Sequence, residues 1–349
     1  MDKIRFTFWV TEECNLRCNY CYVSKQPIKM DRVVADQSIK FAKQQIEERD
    51  NAEIVVSFHG GEPTMNFEII EYLTEYFTKQ YGKRVSFQLT TNGVLEKEHI
   101  YDYFMKNHFM ISVSLDGAKE CNDLNRIKQQ GESTYDHVMR TLAYFKKHEY
   151  DVRLRMTINA SNVHLFSESF RFLFDQNVGP VAFAVDMLHD YDKKFWETLS
   201  MELEKTMDYL YEHAYTWYEY YIKALEQEYL SIKKICVGGK DSFHIDGKGC
   251  IYPCMLAVGY EEFCIGDIDT GICEEKMCEM NDINEKKNPA CEKCAAKQIC
   301  AGEYCKIINK RCSGDYLLPS INNCKMTKVF SELIRKSKKR LKLNGSCSD

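Results

Sequence analysis

Three cysteines crowd into the stretch Cys14-Asn15-Leu16-Arg17-Cys18-Asn19-Tyr20-Cys21, spaced C-x3-C-x2-C. A loop this short turns three thiolates toward one centre and cannot supply a fourth. Soft thiolate ligands select zinc or an iron–sulfur cluster. A structural zinc ion wants four protein ligands, whereas a four-iron cluster takes one ligand per iron. Three cysteines therefore leave one iron without a protein ligand, open to a small molecule that it can bind and reduce. A zinc loop completed by a distant ligand, or three unrelated buried thiols, is the plainer alternative.

The elements that hold such a loop are legible in the pattern that follows it. Strands are expected at Arg5–Val10, Glu53–His59, Val85–Thr91, Met110–Leu115, Val152–Ile158 and Val181–Val185. Helical periodicity falls between them, at Asp31–Glu48, Asn66–Tyr81 (with Asn66 as N-cap), Glu96–Asn107, Thr134–His148 and Asn162–Gln176. Alternating strands and helices imply a parallel sheet with right-handed crossovers. Such units form either an open doubly wound sheet or a partial barrel, and the pattern alone does not choose. Ligands of parallel sheets gather at the carboxyl ends of the strands. There stand the cysteines, then His59-Gly60-Gly61-Glu62-Pro63, Thr91-Asn92-Gly93, Ser114-Leu115-Asp116-Gly117, and Asn159.

Bulk properties bound the class. The chain has 349 residues, 44% hydrophobic and 28% charged, as in ordinary globular proteins. A net charge of −5 argues against a general nucleic-acid role. No segment approaches the apolar length of a membrane helix, and Met1–Val10 is too short and too charged for a signal peptide, so the expected location is cytoplasmic. Seventeen cysteines in that setting point to metal or catalytic thiols rather than disulfides. Between Cys21 and Cys236 only Cys121 interrupts a cysteine-free run, a composition shift that marks a domain boundary.

The cysteine spacing, the aromatic Tyr22 after the third cysteine, and Gly60-Gly61-Glu62-Pro63 together resemble the radical S-adenosylmethionine (radical SAM) enzymes. The resemblance implies a partial (β/α)6 TIM-like barrel and a [4Fe–4S] cluster on Cys14, Cys18 and Cys21. It implies that SAM binds the open iron and is cleaved to a 5′-deoxyadenosyl radical that abstracts a substrate hydrogen. The residues it assigns to SAM are Tyr22 beside the adenine, Gly60, Gly61, Glu62 and Pro63 at the ammonium group, and Asn92, Ser114, Asp116 and Asn159 at strand ends. Arg126 is a natural partner for the SAM carboxylate or a solvated surface arginine. Gly-Gly lets the backbone approach a ligand closely.

The carboxyl-terminal cysteines resemble the SPASM extension of this family, which holds two auxiliary [4Fe–4S] clusters. Cys236 is followed by Gly249-x4-Cys254, then Cys291-x2-Cys294-x5-Cys300-x4-Cys305, and last Cys324. Four residues, where the family has three, precede Cys305. By resemblance Cys291, Cys294, Cys300 and Cys324 hold the outer cluster, and Cys236, Cys254 and Cys305 the inner one. The inner cluster's fourth ligand is Cys250 or Cys312, or that iron is open to a substrate thiolate. Cys264, Cys273 and Cys278 fall outside the pattern. The expected domains are a barrel over 1–190, a connecting amphipathic helical segment over 191–235, and a small cysteine-rich α+β SPASM domain over 236–349 ending in the basic helix Lys325–Lys342. Three clusters are expected in all.

Enzymes of this group mostly modify peptides or proteins. One reading is a maturase forming a thioether or carbon–carbon crosslink in a ribosomally made precursor peptide. A second is an anaerobic sulfatase-maturing enzyme oxidising serine or cysteine to formylglycine. Thirteen residues precede Cys14, so no amino-terminal leader-binding domain is expected, which favours the second reading. Against it, the sulfatase-maturing relatives carry an aspartate directly after the cysteine matching Cys254. Here Met255 stands, with no acid–base capacity. The crosslinking reading is preferred. A non-catalytic iron–sulfur electron carrier is the third reading, and it has no use for the GGEP and S-x-D-G segments. A reductant such as ferredoxin or flavodoxin is the expected partner besides the substrate, with no nucleic acid and no membrane.

Overall fold

The computed structural model describes residues 3–49, 51–231, 236 and 238–345. It divides into two compact units, and the division falls at the ends of strands. The first comprises Met1–Thr157, Leu173–Ala184 and Val237–Met280; the second comprises Ile158–Phe172, Val185–Cys236 and Asn281–Asp349.

The first unit is built on a parallel sheet of β1 (Lys3–Thr11), β2 (Glu53–Gly60), β3 (Val85–Thr91), β4 (Met110–Ser114), β5 (Arg153–Ile158) and β6 (Val181–Val185). Each expected strand is present within a residue or two. The crossovers carry α1 (Arg32–Glu47), α2 (Phe67–Tyr81), α3 (Glu98–Lys106), a short α4 (Lys119–Asp123), α5 (Tyr135–Lys147) and α6 (Phe166–Asp175). This is the α/β partial barrel that the resemblance implies. Two helix starts rest on different chemistry. Asp31 caps α1, its Oδ1 accepting from the Val34 N–H at 2.9 Å. Asn66 stands before α2 but makes no cap bond. Its Nδ2 donates instead to Val10 O (2.7 Å) and Met30 O (2.9 Å), tying the end of β1 to the segment that precedes α1.

The strands alternate strictly. Phe6, Phe8 and Phe58 point to the helix layer, where Phe6 and Phe8 meet Phe77 of α2 at 6.5 and 5.9 Å between ring centroids. Burying one such ring contributes about 2–3 kcal/mol. Arg5, Trp9, Ser57, His59 and Gln88 point to the opposite, inner face, where Arg5 Nη1 donates to Gln88 Oε1 at 3.0 Å. The β1–β2 register shifts between Trp9 and Thr11, a bulge just before the cysteine loop.

Residues that the sequence assigns to the carboxyl-terminal module extend this same sheet. Strand β7 (Ser242–Ile245) lies parallel to β1, and β8 (Cys250–Tyr252), β9 (Gly266–Asp267) and β10 (Gly271–Ile272) continue it antiparallel.

The second unit is mainly helical. The expected connecting segment is two helices, α7 (Lys193–His213) and α8 (Tyr215–Tyr229), broken at Ala214, whose φ of −150° is non-helical. Its last residues, 232–235, lie outside the described residues. Then α9 (Glu274–Glu285) leads in from the first unit, followed by α10 (Ala301–Tyr304), α11 (Lys306–Ser313) and α12 (Ile321–Gly345). Helix α12 packs on α7 and α8, with Phe330 stacked on Tyr229 at 4.2 Å and Tyr218 Oη donating to Ser337 O at 3.2 Å. Its basic face is matched to acids of those helices. Lys336, Lys338 and Arg340 pair with Glu204, Glu226 and Asp208, each at 2.5 Å. Among the described residues no helix is long and apolar enough to cross a membrane.

Candidate active site

The cysteine loop leaves β1 and is held from two sides. On one side is the Gly60-Gly61 turn. The Gly61 N–H donates to Thr11 O and the Glu62 N–H to Glu13 O, both at 2.8 Å. A Cβ on Gly60 would lie 1.8 Å from Thr11 O, and one on Gly61 would lie 2.1 Å from Glu13 O. The space freed by the two glycines is therefore filled by the loop's own backbone. They bring the cysteines in close, where the sequence reading expected a ligand. On the other side are residues 124–127. The Arg17 N–H donates to Ile127 O (2.8 Å), Asn19 Nδ2 donates to Leu124 O (2.9 Å), and the Asn19 N–H donates to Asn125 O (3.2 Å).

Glu62 is 1% exposed. Its Oε1 accepts from the Thr64 N–H (3.2 Å), Thr64 Oγ1 (2.7 Å) and Thr91 Oγ1 (2.8 Å), and its Oε2 from the Asn92 N–H (2.7 Å). A carboxylate has about four acceptor sites, so this one is largely spent on fixing the turns after β2 and β3. Burial still pushes its pKa up. Pro63 follows it, buried, at the start of the next turn. Asn92 Nδ2 donates to Asn15 Oδ1 at 2.8 Å and lies 3.8 Å from Cys14 Sγ, so the third strand end reaches the cysteine loop directly.

Asp116 and Arg126 face each other in the interior. Arg126 Nε lies 3.0 Å from Asp116 Oδ1, an ion pair without hydrogen-bond alignment. Tyr20 Oη donates to Asp116 Oδ2 at 2.5 Å and the Thr157 N–H to Oδ1 at 2.9 Å. Burial works against the Arg126 charge, but Asp116, Tyr20 and Cys18 outweigh it and hold the pKa above its ordinary value. Arg126 is thus engaged by Asp116. Ser114 is buried at the end of β4, opposite Arg155 of β5 in the register. Asn159 belongs to the second unit. Its Oδ1 accepts from the Ser161 N–H (3.0 Å) and Ser161 Oγ (2.7 Å) in a local turn.

Tyr22 Oη lies 2.6 Å from His59 Nε2 and 3.6 Å from Met255 Sδ. Trp9 packs edge-on against His59 at 4.8 Å, and its Nε1 donates to His244 Nδ1 at 3.3 Å. Burial, then the Arg155 charge, lowers His59 to about 4. Burial, then His59 and Arg5, lowers His244 to about 3. Both rings are neutral at pH 7. Tyr22 is pushed up, by burial first. Tyr20, Asn15, Thr64, Thr91 and His244 were not singled out in the sequence. Tyr20, Asn15, Thr64 and Thr91 each adjoin a residue that was, and His244 does not.

The three loop cysteines lie within electrostatic reach of one another. Burial pushes Cys14 up to about 12, and the cysteine charges it feels are those of Cys18 and Cys21. Burial raises Cys18 as well. Thiols this desolvated become thiolates only against a compensating cation. The donor set therefore fits a metal cluster with one iron left open. In the second unit Cys324 feels Cys300, Cys291 and Cys294, the four cysteines assigned to the outer cluster. A hydrogen bond with Cys324 lowers Cys300, and the same contact raises Cys324. Cys305, pushed up to about 11 by burial, feels Cys236 and Cys312. In the first unit Cys250 has Cys264 as its neighbour, and Cys254 lies near Tyr22. Among the described residues no three of these side chains are drawn in to metal-ligand distance. The thiols are neighbours, not a closed shell.

The sequence profile of the radical SAM superfamily matches residues 10–173. The chain carries a radical SAM domain. It is 23% identical over 315 residues to a cysteine-type anaerobic sulfatase-maturating enzyme of Clostridium perfringens, covering 83% of this chain and 85% of that one. It is 24% identical over 324 residues to the antilisterial bacteriocin subtilosin biosynthesis protein AlbA of Bacillus subtilis, covering 87% and 67%. The fold matches that of anSMEcpe with bound AdoMet and the Cp18Cys peptide. The TM-score is 0.77 at 21% identity, over 96% of this chain and 99% of that one. Residues 10–173 are thus a radical SAM domain, and SAM and a [4Fe–4S] cluster are the cofactors that this domain implies.

Proposed function

We propose that this radical SAM enzyme modifies a peptide or protein, and that it joins a cysteine sulfur or a carbon atom to an unactivated carbon of a ribosomally made peptide. The observation that carries the choice is Met255. Its thioether sits against Tyr22 Oη, where the resemblance expects the proton-accepting aspartate of a sulfatase-maturing enzyme. Formylglycine formation is the second reading. It is favoured by the C. perfringens relative, which aligns over most of both chains. AlbA, named for bacteriocin biosynthesis, favours the first. A solved relative with a bound peptide supports a peptide substrate in either case.

In this reading Cys14, Cys18 and Cys21 hold the SAM-binding cluster, and Cys291, Cys294, Cys300 and Cys324 an auxiliary one. When bound, cluster and SAM supply one-electron hydrogen abstraction. The chain's own residues aim it. Gly60 and Gly61 press the loop against β2, Glu62 locks two strand ends together, and Asn92 fixes Asn15 between two ligands. The Tyr22–His59 pair provides a phenol and a neutral imidazole that hold a proton near residue 255. A ferredoxin or flavodoxin serves as reductant.

Anaerobically reconstituted protein, reduced and given SAM, is expected to release 5′-deoxyadenosine and methionine. A cysteine-containing precursor peptide should lose two hydrogens, one abstracted and one leaving as a proton with its electron. A product that has also exchanged sulfur for oxygen would establish formylglycine and overturn the crosslinking assignment. Absence of any SAM cleavage would leave the electron-carrier reading standing.

A further inference from the structure

The inner face of the first unit carries a cation, Arg155, that pairs with no carboxylate among the described residues. Arg155 alternates with the buried Leu154 and Met156 on β5, so it points with Ser114, its register partner, to the side of Trp9 and His59. Its side chain is exposed, and among the described residues no carboxylate pairs with it. Its field reaches Tyr22 and His59. The groups it reaches are uncharged: the neutral His59 imidazole, the Tyr22 phenol and the serine of β4. Arg5 of the same face donates to Gln88, Arg153 shares the face at the start of β5, and Arg126 is neutralised by Asp116. Radical chemistry requires that bound substrate exclude water. Arg155 would then lose its hydration, and a guanidinium buried without a counter-ion is strongly unfavourable. The planar fork of an arginine matches one ligand group above others, the two oxygens of a carboxylate.

We propose that Arg155 is the carboxylate anchor of this site, holding a carboxylate brought in by a bound molecule. The inference rests on the radical SAM reading with a peptide substrate. It leaves two sources with the same chemistry: the carboxylate of SAM, or an acidic side chain or carboxyl terminus of the peptide.

The test uses full-length reconstituted enzyme with Arg155→Ala, Arg155→Gln and Arg155→Lys. Equilibrium dialysis compares SAM with decarboxylated SAM. Fluorescence anisotropy compares labelled peptides with a central cysteine and either Glu or Gln at each flanking position. If SAM is the source, Arg155→Ala weakens SAM by about tenfold or more and leaves decarboxylated SAM unchanged. If the peptide is the source, the wild-type preference for a Glu peptide over its Gln twin, also about tenfold, is lost in Arg155→Ala and partly kept in Arg155→Lys. Arg155→Gln separates charge loss from a cavity, and thermal melting checks that each variant folds. The assignment is overturned if both comparisons are unchanged by all three substitutions, or if wild type shows neither preference. Failure of the underlying reading shows separately, as absence of 5′-deoxyadenosine from wild type.

Discussion

Gly61→Ala is the sharpest perturbation the site offers. Gly61 does not have a left-handed φ, so alanine meets no backbone penalty there. Its Cβ would stand 2.1 Å from Glu13 O and 2.5 Å from Glu12 O, where ordinary contact begins at 3.4 Å. The backbone of the cysteine loop must retreat by roughly an ångström, an overpacking strain of about 1–3 kcal/mol. The retreat stretches the Gly61 N–H···Thr11 O and Glu62 N–H···Glu13 O bonds, both 2.8 Å, each contributing about 1 kcal/mol. The total is about 3–5 kcal/mol, concentrated on the segment that presents Cys14. Gly131→Ala is the control. It has open space for a Cβ but a φ of +84°, so it costs about 1–2 kcal/mol by conformation alone; it lies in the turn whose Lys128 bridges Leu16, but its Cβ meets no atom of the loop. Thermal melting and iron and sulfide per chain after anaerobic reconstitution should separate the two. Gly61→Ala is expected to lose both stability and one cluster's worth of iron, and Gly131→Ala only a little stability. A Gly61→Ala protein that melts like wild type and binds the full iron complement would refute the claim that these glycines serve the loop.

Three other outcomes follow from the geometry. Asp116→Asn leaves Arg126 buried without its counter-charge and should cost about 3–5 kcal/mol, while Asp116→Asn with Arg126→Met recovers much of it in denaturant titration, because the orphaned charge is gone. His244 is held neutral, with a pKa near 3 against an ordinary 6.5, so between those values the unfolded chain binds the extra proton. Stability should therefore fall as pH drops through that window, by about 1.4 kcal/mol per unit from this group, and His244→Asn should flatten the wild-type slope by that amount. The ion pairs of α12 are exposed, so replacing Lys336, Lys338 and Arg340 together by alanine should lower the melting temperature only slightly, and less at high salt, as read by melting at two ionic strengths.

What the sequence shows of this molecule is what periodicity and residue type can carry. The six long strands are found where alternation and β-branched runs put them, because each buries one whole face against helices. Strands β7–β10 are two to four residues long, too short for any period to register, and their place beside β1 depends on pairings with distant residues. The break between α7 and α8 is equally silent, since Leu210, Ala214 and Trp217 keep the helical spacing across it. Within the site, residue type announces capability but not allegiance. Asn66 is a good N-cap, yet spends its amide on Val10 and Met30. Glu62 and the glycine pair look like ligand-binding groups, yet the carboxylate is spent on Thr64, Thr91 and Asn92 and the space beside the glycines is filled by the loop that carries the cysteines. Arg126 stands in the right neighbourhood for a carboxylate, yet Asp116 has already taken it. Arg155, inside a strand the sequence marks only by its alternation, has no carboxylate partner among the described residues, because its direction is set by strand parity and its neighbours by the register. Chemistry-bearing residues nominate themselves in a sequence; only the contacts of the folded chain decide which of them remain free to act.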